Sequence, residues 1–107
     1  FDVIIDFAGF GQTTADAVDV IRRDGTVVLV GMGRLEALIN TRSLILNQCN
    51  LRGSNGGTKA DIEGIYEYMA TGKLNPKLTE ITFDEISDGI DRLHEGKVEG
   101  RLVAVMD

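Results

Sequence analysis

Apolar residues in this chain fall either in short unbroken runs or in stripes at helical spacing, and glycine closes most of them. Val3-Ile4-Ile5 is β-branched throughout and is followed by Ala8-Gly9-Phe10-Gly11. A short run without alternation suits a strand covered on both faces, as in a parallel sheet. Thr13 or Thr14 is expected to cap the next helix, with Asp16 in its first turn, where the dipole favours a negative charge. Ala17, Val18 and Ile21 form its apolar stripe, Arg22 and Arg23 sit at its positive-preferring end, and Gly25 stops it. Thr26-Val27-Val28-Leu29-Val30 repeats the first pattern and runs into Gly31-Met32-Gly33. Strand, helix and strand, with glycine after each strand, read as a parallel βαβ unit.

The middle of the chain is less sharply patterned. Arg34 to Leu38 reads as loop, and Thr41 to Leu46 fits either a short helix or a strand. Cys49 to Ser54 is expected to form a third strand ending in the turn Asn55-Gly56-Gly57. Thr58 then caps a helix in which Ile62, Ile65, Tyr66 and Met69 share one face, Asp61 and Glu63 come early and Gly72 ends it. Lys73 to Thr82 reads as extended and holds the one proline, Pro76. Ile86, Ile90 and Leu93 line a last helix that opens with Asp84 and Glu85 and is followed by Gly96, and Gly100 to Val105 forms a final strand.

Composition narrows the partners. With 107 residues, 43% of them hydrophobic and 26% charged, the sequence is that of one globular domain or a piece of one. Acids outnumber bases 17 to 11, and a net charge of -6 repels phosphate backbones and anionic lipid, so neither nucleic acid nor a membrane surface is an expected partner. No apolar run approaches the roughly 20 residues of a membrane span. No charged, apolar leader opens the chain, so no secretory signal is expected, and a lone Cys49 fits a reduced, cytoplasmic protein. The chain starts inside an apolar run without methionine, which suits a fragment of something larger.

Candidate chemistry is concentrated in the glycine turns. In an open parallel sheet, ligands sit at the carboxyl ends of the strands, and Ala8-Gly9-Phe10-Gly11, Gly31-Met32-Gly33 and Ser54-Asn55-Gly56-Gly57 occupy that position. Glycine there either makes the turn alone or lets a ring or phosphate approach the backbone. Neither G-x-G-x-x-G nor G-x-x-x-x-G-K-[ST] is present. One Cys and one His do not make a zinc site of nitrogen and sulfur ligands. His94 suits a role at a helix end, where imidazole complements exposed carbonyls, and Cys49 suits a small buried hydrophobe. Arg101 is the base that stands out, either as a phosphate clamp or in an exposed ion pair. No residue is singled out as catalytic or as a metal ligand.

Four segments in order carry a family likeness: Phe1-Asp2-Val3-Ile4-Ile5-Asp6-Phe7-Ala8-Gly9, Asp24-Gly25-Thr26-Val27-Val28-Leu29-Val30-Gly31, Leu51-Arg52-Gly53-Ser54 and Gly96-Lys97-Val98-Glu99-Gly100-Arg101-Leu102-Val103. Over essentially its whole length the chain resembles the C-terminal part of medium-chain dehydrogenases/reductases, and looks most similar to zinc-dependent alcohol dehydrogenases. The resemblance implies an α/β fold: a partial Rossmann sheet of three parallel strands with helices, followed by C-terminal helices and a strand. It implies that residues 1–57 are the second half of a dinucleotide-binding domain. Residues 58–107 would complete that domain and supply a segment packing back on a catalytic domain.

The resemblance also implies a parent that transfers hydride between an alcohol or aldehyde and NAD or NADP, with zinc ligands and the glycine fingerprint outside this chain. A zinc-free quinone oxidoreductase and a non-enzymatic α/β binding or dimerisation module are the alternatives. By the same likeness Phe7, Ala8 and Gly9 lie beside the riboses. Val30, Gly31 and Met32, with Ser54, Asn55 and Gly56, meet the nicotinamide carboxamide, and Arg101 meets the pyrophosphate. Phe10 departs from members with a polar residue at its position. A homo-oligomer, a dimer or larger, is expected, with Leu44 to Leu51 or the first strand, Val3-Ile4-Ile5, in the subunit contact.

Overall fold

The computed structural model describes residues 1–106. They form two compact units, residues 1–56 and residues 57–106. The architecture is α/β with parallel strands, as the resemblance implies.

In the first unit, β1 (Val3–Asp6), β2 (Thr26–Leu29) and β3 (Asn50–Gly53) form one parallel sheet in that spatial order. Val3 stands opposite Thr26 and Thr26 opposite Asn50, so the three strands end level. Helices α1 (Gln12–Val20) and α2 (Thr41–Asn47) make the crossovers. Ala17 and Val18 of α1, Ile21 and Val27 of β2 form the buried core, with Ile4, Ile39, Leu44 and Cys49 packed against it. Cys49 is thus a half-buried apolar neighbour of the core.

The structure departs from the sequence expectations around α1. Thr13 and Thr14 do not cap α1: the cap position falls two to three residues earlier, at Gly11 with φ 79°, and both threonines lie inside the helix. No acid falls in its first turn, so Asp16 lies beyond it. Arg22 and Arg23 lie past the helix end, where Arg22 pairs with Asp2 at 2.5 Å and Arg23 bonds Gln48. Thr41 to Leu46 resolves as helix, because the Asn40 side chain accepts from the Arg42 and Ser43 amides. Coverage on both faces is not seen within the described chain. The helices lie on the face of Ile4 and Val27, while Val3 and Ile5 point the other way and are 56% and 51% exposed.

In the second unit, α3 (Lys59–Ala70) starts as expected. Thr58 Oγ1 accepts from the Asp61 amide, and the Asp61 carboxylate accepts from the Thr58 amide at 2.7 Å, a reciprocal cap. The extended run after it contains a strand that its sequence does not mark, β4 (Leu78–Ile81), which pairs in parallel with β5 (Arg101–Ala104). Between them a 3-10 turn, Phe83–Glu85, leads into α4 (Ile86–His94). His94 Nδ1 lies 3.2 Å from the Ile90 carbonyl, the helix-end role expected of it.

Candidate cofactor site at the strand ends

Level strand ends place three turns side by side. Phe7-Ala8-Gly9 follows β1, Val30-Gly31-Met32 follows β2 and Ser54-Asn55-Gly56 follows β3. These nine residues of the ten singled out in the sequence lie in one unit, at the carboxyl edge of one sheet. Arg101 belongs to the second unit, where it opens β5.

The first two turns are stitched together. Gly33 and Arg34 donate their amides to the Ala8 and Gly9 carbonyls at 3.1 and 2.8 Å, and the Val30 and Gly31 amides both donate to the Asp6 carbonyl at 3.0 Å. The glycines make this contact possible. A Cβ on Gly9, which sits at φ +60°, would lie 1.9 Å from the Gly31 carbonyl oxygen. A Cβ on Gly31 would lie 2.2 Å from the Phe7 oxygen. The Gly31 backbone thus requires glycine at position 9, and the Phe7 and Ala8 backbone requires it at position 31. In contrast, a Cβ on Gly53 or Gly56 would meet nothing within 4 Å.

Asp6 organises this edge, and the sequence reading gave it no role. Only 6% exposed, its carboxylate accepts from the Ala8 amide (3.1 Å), the Gly9 amide (2.9 Å), Thr13 Oγ1 (2.9 Å) and Thr14 Oγ1 (2.8 Å). The two threonines expected to cap α1 thus serve Asp6 instead. The Gly9 amide, ahead of a smaller opposing effect of burial and with help from Thr14, Thr13 and Ala8, holds the Asp6 carboxyl below its ordinary 3.8. A lowered carboxyl binds fewer protons folded than unfolded, so its contribution to stability is complete above the unfolded value and is lost as pH falls through 3.8 and below. Urea unfolding of the chain and of Asp6→Asn should therefore differ most near neutral pH and converge in acid. Asp2, Asp61 and Glu85 are lowered too, but they are common to both proteins and cancel in the comparison. A gap that stays constant down to strong acid would count against this assignment.

Which backbone groups remain open decides what the edge can bind. Among the described residues, the Val30 carbonyl and the Met32 and Asn55 amides have no hydrogen-bond partner within the chain. The Gly31 and Ser54 carbonyls and the Gly56 amide are open as well, and an edge with both acceptors and donors free fits a planar amide such as a carboxamide, which offers both donors and an acceptor. A metal is a different matter. Among the described residues no three His, Cys, Asp or Glu side chains gather to hold an ion, so these residues do not fit a zinc site.

Arg101 is fixed by its neighbour. Gly100, at φ +82°, packs so closely that a Cβ would lie 2.2 Å from the Lys77 carbonyl oxygen, and the Arg101 amide donates to that same oxygen at 2.9 Å. The Arg101 side chain is exposed and takes no ion pair among the described residues.

A parallel sheet with helical crossovers and open backbone groups at its carboxyl edge defines a Rossmann-like unit. Comparison with known proteins adds the family. Residues 1–71 match the family described as zinc-binding dehydrogenase. The chain is 31% identical over 87 residues to an alcohol dehydrogenase of Geobacillus stearothermophilus, covering 81% of this chain and 26% of that protein. It is 31% identical over 102 residues to a D-arabinose 1-dehydrogenase (NADP(+)) of Saccharolobus solfataricus, covering 94% of this chain and 29% of that protein. Among solved structures, an alcohol dehydrogenase of Aeropyrum pernix superposes with a TM-score of 0.84 at 29% identity, over 98% of this chain and 30% of that one. The chain belongs to the zinc-binding dehydrogenase family, in keeping with its resemblance to the C-terminal part of medium-chain, zinc-dependent alcohol dehydrogenases. It spans less than a third of the length of these relatives.

Proposed function

We propose that this chain is the nicotinamide-side half of a dinucleotide site in an NAD(P)-dependent, zinc-type alcohol dehydrogenase. The observation that carries the reading is the set of open backbone groups on adjacent strand ends. In this reading the Val30 carbonyl accepts from the carboxamide nitrogen, and the Met32 and Asn55 amides donate to its oxygen. Gly31, Ser54 and Gly56 complete that edge, and Phe7, Ala8 and Gly9 border the riboses. Arg101 neutralises the pyrophosphate. Bound nicotinamide supplies the hydride acceptor or donor, and the protein orients it. Zinc ligands are assigned to the part of the family's length that this chain does not span. The relatives named above support an alcohol or a sugar as the substrate.

The parent is further proposed to be a cytoplasmic homo-oligomer. What supports the subunit contact is β3, which lies at the edge of its sheet with all four residues exposed; an open edge is a ready site for pairing with another chain. A test follows the reduced nicotinamide optically while the full-length protein is offered simple alcohols and sugars with NAD⁺ or NADP⁺. Alcohol-dependent reduction of one of the two is expected, and the 107-residue chain alone should give none. Full-length protein that binds neither dinucleotide would overturn the reading.

A further inference from the structure

We propose that Asp6 is a positioning residue: it locks the Phe7-Ala8-Gly9 turn to the start of α1, and that lock sets the affinity of the edge for a nicotinamide dinucleotide. The inference rests on the function proposed above and adds a residue that does not itself touch the ligand.

The two carboxylate oxygens divide the work. One accepts from the Ala8 and Gly9 amides, which belong to the turn. The other accepts from the Thr13 and Thr14 hydroxyls, which belong to α1. The main-chain carbonyl of the same residue accepts from Val30 and Gly31, so Asp6 also holds the second turn. Thr13 closes a loop within this network, because its Oγ1 accepts from the Phe10 amide at 3.3 Å while donating to Asp6. A carboxylate has about four acceptor sites, and all of them are used here.

Without that carboxylate, the amides of Ala8 and Gly9 and the buried Thr14 hydroxyl lose their acceptor together. Thr14 is 2% exposed, so water does not readily replace what is lost. The turn would then be held only through its carbonyls, by the Gly33 and Arg34 amides, and Gly9, at φ +60°, has the conformational freedom of glycine to leave its present geometry. A ligand that needs one of them binds in proportion to its population. If the turn holds its binding conformation only about a tenth of the time, the apparent Kd rises about tenfold.

The test uses the full-length protein and fluorescence titration with NADH and NADPH. Four variants are compared: Asp6→Ala, Thr13→Val, Thr13→Ser and, as a destabilised control, Val18→Ala. Val18 is fully buried in the core and touches neither turn's hydrogen bonds. Asp6→Ala that retains a wild-type circular dichroism spectrum should bind roughly tenfold or more weakly. Thr13→Val should weaken binding by a smaller factor, and Thr13→Ser, which keeps the hydroxyl, should restore it. Val18→Ala should lower the melting temperature and leave Kd unchanged.

Wild-type affinity in folded Asp6→Ala would overturn the proposal. So would an equal loss in Val18→Ala, which would mean that Kd follows stability alone. If Asp6→Ala does not fold, the contrast between Thr13→Val and Thr13→Ser decides, and equal Kd values for the two would overturn it. Wild-type protein that binds neither NADH nor NADPH removes the functional reading itself, and that failure is visible before any variant is made.

Discussion

Gly31→Ala is expected to be among the most damaging single-methyl additions in this chain. The new Cβ would lie 2.2 Å from the Phe7 carbonyl oxygen and 2.5 Å from the Ala8 carbonyl carbon, both main-chain atoms that cannot swing aside. Overpacking of this kind costs about 1–3 kcal/mol. Gly9→Ala meets the Gly31 oxygen at 1.9 Å and adds a left-handed backbone, itself worth about 1–2 kcal/mol for a residue with a Cβ. Gly53→Ala is the matched control: nothing lies within 4 Å of its Cβ, and surface changes of that sort stay within about 0.5 kcal/mol. Urea midpoints of the three variants check the ranking. Gly31→Ala with the stability of Gly53→Ala would mean that the two turns are not interlocked as described.

The second large effect concerns binding rather than folding. If the Arg101 guanidinium meets the pyrophosphate, Arg101→Ala should cost about 1.5–3 kcal/mol of dinucleotide affinity, the range for hydrogen bonds to charged groups. That is roughly a ten- to hundredfold rise in Kd in the full-length protein. Arg101→Lys should recover part of the loss, since an ammonium keeps the charge but not the planar fork. Stability should hardly move, because the side chain is exposed and takes no ion pair among the described residues. A full-length Arg101→Ala protein with unchanged Kd for NADH and NADPH would remove Arg101 from the site.

What could be read in advance follows from where each signal resides. β1 and β2 announce themselves by β-branched runs, and α3 and α4 by apolar residues at helical spacing, all signals local to a few residues. Thr58 is legible as a cap because its partner, Asp61, lies three positions on. Thr13 and Thr14 have the right chemistry for the same task, but Gly11 takes the chain into α1 at a positive φ and Asp6 claims both hydroxyls. β4 is invisible locally because its pairing comes from β5. The three strand-end turns are legible because glycine follows each strand in a parallel unit. The fit of Gly9 to Gly31 is not, since it depends on the register of two strands. Asp6 carries one usable signal, a carboxylate closing an apolar run just before a glycine turn. Two of its four partners are main-chain amides, which every non-proline residue has, so the sequence alone does not single them out.

Every ladder in this molecule joins residues about two dozen positions apart: Val3 to Thr26, Thr26 to Asn50, and Leu78 to Arg101. Parallel pairing usually makes folding slow, because long loops must close before any contact rewards them. Here, among the described residues, each pair waits only for one crossover to be completed, and no strand pairs with one that comes much later in the chain. The cost of loop closure grows only with the logarithm of loop length, so the three closures oppose folding by nearly equal amounts. Pairing can therefore proceed in the order in which a ribosome delivers the strands, with β2 able to join β1 before β3 exists.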